Sequence, residues 1–307
     1  MNDRQRLNDH DRPRAPRSRR GSVLVEFAMV SFVLYLLFVV LLDLGRASLA
    51  GQTVQGAAKL AAQELARAPL PATFTFEQAL ADPRVTASIY DEGALVVPIA
   101  GLDAAGVDAV FAGLPVVNQA LRPLMIDDVL PDGTQVLRYP GALVSRPQGG
   151  YTVFVPQVTD RDWSSGGAET LRFRPVLEEV RAPGSAGHFG IDSGGFLAGF
   201  VNVRVHYPFQ AGTMTAYDPS PGASGPASAA LAEDGAVTVE PGGDLPSGYA
   251  TVSPPASGEG SVYAGTYGLG AHYIGPAPGG QGPRRVRPFR RVLSGQHAAR
   301  REVIVSQ

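Results

Sequence analysis

The chain contains no cysteine. Disulfides, thiolate metal sites and cysteine nucleophiles are therefore excluded together. Lysine occurs once, at Lys59, so arginine carries nearly all the positive charge. Five histidines (His10, His188, His206, His272 and His297) are scattered, with no H-E-x-x-H and no close ligand spacing. No G-x-S-x-G elbow occurs. Asp127, Asp128 and the Asp132-Gly133 pair fall short of an EF-hand loop. Asp127-Asp128 and Glu178-Glu179 are adjacent pairs, and neighbours on a strand face opposite ways, so one site is not expected to use both members. G-E-G at 258–260 and G-L-G at 268–270 lack the strand and helix that a nucleotide loop needs. No catalytic constellation, cofactor or metal is expected. A net charge of −2 argues against nucleic-acid binding by the whole chain.

Long apolar runs are scarce too, with one exception. Residues 27–42 read FAMVSFVLYLLFVVLL, without a charge. Extended to Val23 and Leu44, the run is long enough for the roughly 20 helical residues that a bilayer core requires. Glu26 and Asp43 sit near its two ends. A secretory signal would have a shorter core and a small-residue cleavage site after it. Residues 1–21 carry seven arginines against three aspartates, whereas the first residues after the run carry few basic groups. The positive-inside rule places the N-terminus in the cytoplasm and residues 70–307 outside it.

The helix is not expected to stop at the membrane. Residues 45–68 are rich in alanine and lack proline, and Pro69 and Pro71 supply the stop. A helix over 23–68 would be about 70 Å long at 1.5 Å per residue. Ala50, Val54, Ala57, Ala61 and Leu65 share one stripe, with Gln52, Gln55, Lys59 and Gln63 opposite. Such a stripe suits either another helix or the chain's own extracytoplasmic domain.

The segment from the last arginines onward has a recognisable order. Gly21 is followed by Ser22-Val23-Leu24-Val25, then Glu26 and Phe27, all opening the apolar helix. The run G-S-x-x-x-E-F-A, the apolar stretch, D-L-G-R at 43–46 and a Gln/Ala-rich helix resemble the TadE-like pseudopilins of tight-adherence (Flp) pilus systems. The resemblance implies cleavage between Gly21 and Ser22 by a prepilin peptidase. It implies an assembly role for Glu26 and Phe27, with the glutamate pairing with a neighbour's N-terminal amine. Many members have a proline inside the apolar run, where this chain has Ser31-Phe32. From the residues alone, Glu26 could also simply reach the headgroups, favoured by the helix dipole.

The remainder is expected to be α+β and mainly antiparallel. Residues 76–82 and 102–114 are helix-like, and 93–99 strand-like. Residues 129–139 carry a D-G turn between apolar runs, a hairpin signal. Residues 151–158 and 171–180 are strand candidates that Pro156 and Pro175 push toward sheet edges. Val201, Val203 and Val205 alternate with Asn202, Arg204 and His206, the clearest strand. From 219 to 283 Gly and Pro make up more than a third of the residues, a low-complexity composition expected to be flexible. The basic tail, 284–307, is expected to be solvated, with docking on anionic lipid or an acidic partner as the other reading.

The organisation read from sequence is thus a cytoplasmic leader (1–21), a transmembrane and stalk helix (22–68), an α+β domain (70–218), the Gly/Pro/Ser-rich segment and the tail. The expected function is that of a non-enzymatic, membrane-anchored pseudopilin. It would sit in the bacterial inner membrane with the prepilin peptidase and other pilin-like subunits as partners. The alternative is an uncleaved, signal-anchored binding protein or enzyme.

Overall fold

The long helix forms as its composition dictates. In the computed structural model, which describes residues 20–130, 132–162, 168–181, 187–190, 198–209, 216–217, 237–252, 272–276, 283–286 and 291–302, α1 runs unbroken from Arg20 to Arg67. No proline interrupts it, alanine is its commonest residue beyond 56, and Pro69 follows its last turn. The chain divides into two units, residues 1–44 and 45–307.

In the second unit, short helices precede and alternate with strands. α2 (Phe76–Leu80) opens with a capping box in which the Thr75 hydroxyl accepts from Gln78 N–H and the Gln78 side chain accepts from Thr75 N–H. α3 (Pro83–Thr86) follows, its first turn capped by Asp82. Asp91 then caps a 3-10 turn over Glu92–Leu95. That turn takes the first half of the stretch expected to be a strand, leaving β1 only Val96–Pro98. α4 (Ala104–Ala112) and α5 (Val116–Leu121) come next. β2 (Ile126–Val129) and β3 (Gln135–Arg138) form the expected hairpin. Gly133 takes φ 86° in its turn, a conformation that favours glycine. With β1 they make a sheet of order β1-β3-β2.

β4 (Ala142–Ser145), β5 (Tyr151–Asp162) and β6 (Ala168–Pro175) are the centre of a five-stranded sheet. Both proline-bearing strands lie inside this sheet, contrary to the edge expectation. Pro156 is tolerated because β4 reaches only Phe154, so β5 is paired on one side alone at Pro156. Pro175 ends β6 outright. The chain then leaves for another sheet as β7 (Leu177–Glu179), so the expected single strand over 171–180 is two.

β8 (Phe200–Phe209) is the central strand of that second sheet. β9 (Ala216–Tyr217), β12 (His272–Pro276) and β13 (Pro283–Val286) pair in a small sheet. β10 (Val237–Val239) joins β6 in parallel, and β11 (Ala250–Thr251) joins β4. Within 237–252 of the Gly/Pro-rich segment, two short strands thus join the five-stranded sheet; 219–236, 253–271 and 277–282 lie outside the described residues. β14 (Arg291–Arg300) pairs with β8 along its whole length, from Arg291↔Phe209 to Arg300↔Phe200. The C-terminal basic stretch, expected to be solvated, is structural there. Its apolar positions and its regular register with β8 outweigh its charge. All described strand pairs except β10 with β6 are antiparallel, and the class is α+β.

The core joins the upper half of α1 to the sheets. Ala50, Val54, Ala57, Ala61 and Leu65 are buried, and so are Ala58, Ala62 and Ala66 beside them. They form one cluster with Val201, Val203 and Val205 of β8. Of the two readings of this stripe, packing on the chain's own domain is the one realised. Small side chains allow it: at Gly295 the β14 backbone approaches the backbone of Val54 and Gln55 directly.

Candidate functional site

The sequence-predicted site lies at the start of α1. Gly21 and Ser22 fall in its first turn. Glu26 and Phe27 follow on exposed helix, Phe27 at 72%. The side chains that follow are large, apolar and exposed, among them Met29, Phe32, Tyr35 and Phe38. A water-soluble protein does not leave so many large apolar side chains exposed along one helix, whereas a bilayer core is itself apolar. The helix is long and apolar enough to cross a membrane. Its backbone groups bond within the helix, as a bilayer requires.

The far end of α1 is held by the C-terminus. Arg301 is buried, and its guanidinium donates to the carbonyls of Leu70 (2.9 Å), Pro71 (3.2 Å) and Phe189 (3.0 Å). The same group stacks on the Phe189 ring at 4.4 Å. Glu302 N–H donates to the Ala66 carbonyl, one of those a helix end leaves open. Midway along the domain-packed part, the Gln55 amide pairs with both main-chain groups of Gln296, at 2.8 and 3.1 Å.

The acidic pairs divide as strand geometry requires. Asp127 is exposed, whereas Asp128 is buried against Arg138. Glu179 accepts from Arg181 and from His188 and Phe189 N–H. Glu178 faces the other way, toward His206, Arg174 and Arg204. His206 lies between this carboxylate and a hydroxyl: Nδ1 is 2.8 Å from Ser294 Oγ, and Nε2 lies 2.8 Å from Glu178 Oε1. In residue types this matches a hydrolase relay, which also needs donors and a substrate space at the hydroxyl. Here the carboxylate is shared with two arginines, and the group ties β7, β8 and β14 together as a cross-strand network. Burial pushes the Glu178 carboxyl up, but His206, Arg174 and Arg204 outweigh it and hold it below the usual range. Among the described residues no group of three or more His, Asp or Glu is placed to hold a metal.

With the helix, its exposed apolar half and its first turn in place, the family comparison is decisive for this segment. Residues 21–63 match the family model of TadE-like proteins. The match begins at the glycine that precedes Ser22 and ends within the packed part of α1. The sheet domain lies outside it. The chain matches no curated protein and no solved structure. The TadE-like segment therefore coincides with the helix that can anchor in a membrane, and it contains every residue singled out from sequence as a site. Sequence reasoning missed Arg301 and the Gln55–Gln296 pairing. Both join residues more than 100 positions apart, and no local pattern marks them.

Proposed function

We propose that the protein is a non-enzymatic pseudopilin-like subunit of a Tad/Flp-type pilus or related secretion apparatus. It is inserted with its N-terminus in the cytoplasm and its sheet domain outside, and is cut between Gly21 and Ser22 by a prepilin peptidase. The observation that carries this reading is the order Gly21, four residues, Glu26, Phe27 at the basic entry of an apolar helix whose sequence is TadE-like.

The chemistry gives Glu26 a task. A carboxylate inside hydrocarbon is costly, less so near the membrane face. Cleavage exposes a new amine on Ser22, about one helical turn away. An amine from a neighbour displaced along the helix axis can serve instead. Pairing offsets the cost of a charge held in low dielectric, and a neighbour must slide until amine meets carboxylate. Glu26 then sets register between subunits.

Glu26→Gln keeps the shape and removes the charge. Crosslinking in membranes followed by co-purification should recover the variant inserted and at least partly cleaved, with fewer complexes to other pilin-like subunits. Wild-type levels of crosslinked complexes would leave Glu26 as an interfacial acid only.

A further inference from the structure

Three glycines stand inside α1 beyond its apolar run: Gly45, Gly51 and Gly56. After proline, glycine is the costliest residue in a helix interior, because it gives up the most backbone freedom. Packing does not require it here. A Cβ added at any of the three meets nothing within 4 Å, whereas one at Gly295 would strike the helix backbone. Spacing does not require it either. Gly45 and Gly51 lie about 240° apart around the helix at 3.6 residues per turn, so they share no face. The four-residue spacing that lets two helices approach on glycine is absent among the three. What remains is backbone freedom.

The segment around the first two glycines lies between two supports. Before it, the apolar run ends at Leu44. After it, Ala50 is the first residue of the buried stripe, followed by Val54 and Ala57. Gly45, Arg46, Ser48 and Leu49 are exposed, and Ala47 is half-buried. The division into residues 1–44 and 45–307 falls at the same place. A stretch with so few buried contacts opens at low cost.

A side chain adds to this. The Thr53 hydroxyl donates to the Leu49 carbonyl, four residues back, at 3.0 Å. Such a back-bond weakens a helix and tends to bend it. Glycine beside serine is another feature at which helices bend. Gly56 stands apart from this group. Its neighbours Val54 and Ala57 are wholly buried, so the core holds the helix on both sides of it.

We propose that residues 45–53 are a hinge in α1, at which the helix bends between its apolar half and the half packed on the sheets. The sheet domain then changes direction while the apolar half stays where it is, and one anchored chain meets its neighbours at more than one angle. The inference rests on the helix alone and stands whether or not Gly21 is processed.

The chain lacks cysteine, so a pair of cysteine substitutions takes nitroxide labels at those two sites only. Tyr35→Cys and Lys59→Cys, both at exposed positions, bracket the hinge. In a straight helix their Cα atoms are about 36 Å apart at 1.5 Å per residue. Double electron–electron resonance on the full-length protein in lipid nanodiscs should show a population of shorter distances beside that one. Gly45→Ala combined with Gly51→Ala should lower the short population about tenfold, through the gain in helix propensity at two sites. Gly56→Ala brings the same kind of gain to the packed part and should leave the short population unchanged. A single narrow distance in the parent overturns the hinge, and so does a short population that the double substitution leaves as it was. An equal loss with Gly56→Ala overturns its placement at 45–53.

Discussion

Gly295 of β14 and Gln55 of α1 meet backbone to backbone: a Cβ added at Gly295 falls 2.7 Å from both Cα and N of Gln55. The neighbour is main chain in the middle of a helix and has no rotamer to yield. Gly295→Ala should therefore lower stability by about 1–3 kcal/mol, the range for overpacking. Thermal melts of the detergent-solubilised protein check this. Ser48→Ala, an exposed helix site, should stay within about 0.5 kcal/mol of the parent. A Gly295→Ala melt equal to the parent would contradict the close approach.

Arg301 gives a second test of how the C-terminus holds the helix end. Arg301→Ala strands the Leu70, Pro71 and Phe189 carbonyls that the guanidinium serves. Leaving buried acceptors without donors costs about 1–3 kcal/mol. Arg301→Lys should recover only part of it, since one ammonium cannot span the set or stack on Phe189. Denaturant unfolding midpoints measure both. Limited proteolysis near residues 66–72 should speed up in Arg301→Ala.

These two contacts mark what the sequence could and could not reveal. The helix, its proline stop and its buried alanine stripe follow from period and composition. So do the β2–β3 hairpin and the valine alternation of β8. The choice of partner for the alanine stripe does not, because an apolar stripe states only that something covers it. The C-terminal stretch is a related case. Residues 291–300 show no clean apolar alternation, and the register with β8 becomes visible only once both strands are placed. Pro156 shows the same limit: a sequence marks a strand as unable to donate, but not where its neighbour ends. At the N-terminus, by contrast, Gly21, Glu26 and Phe27 are a local pattern on one helix and could be found without any fold.

The Glu178 network predicts an acid-sensitive fold. The folded carboxyl lies below its unfolded value despite burial, because His206, Arg174 and Arg204 favour the charged form. Its contribution is therefore full above the unfolded carboxylate pKa of about 4.3. It is lost as pH falls through the lowered, folded value. Glu178→Gln should lower stability at neutral pH and flatten the loss between pH 5 and the acid limit, roughly the window of carboxylate titration. Urea midpoints against pH for parent and variant decide it; parallel curves would assign the acid loss to other groups.

The central claim, that this helix begins as a processed pilin-like terminus, is tested most directly by the mass of the mature protein. Purified from a host with its prepilin peptidase, the protein should lack residues 1–21 and begin at Ser22. Cells without the peptidase should keep the full chain, as should Gly21→Ala in either host. A full-length product in peptidase-positive and peptidase-deleted cells alike would contradict the account and leave the N-terminus as an uncleaved anchor.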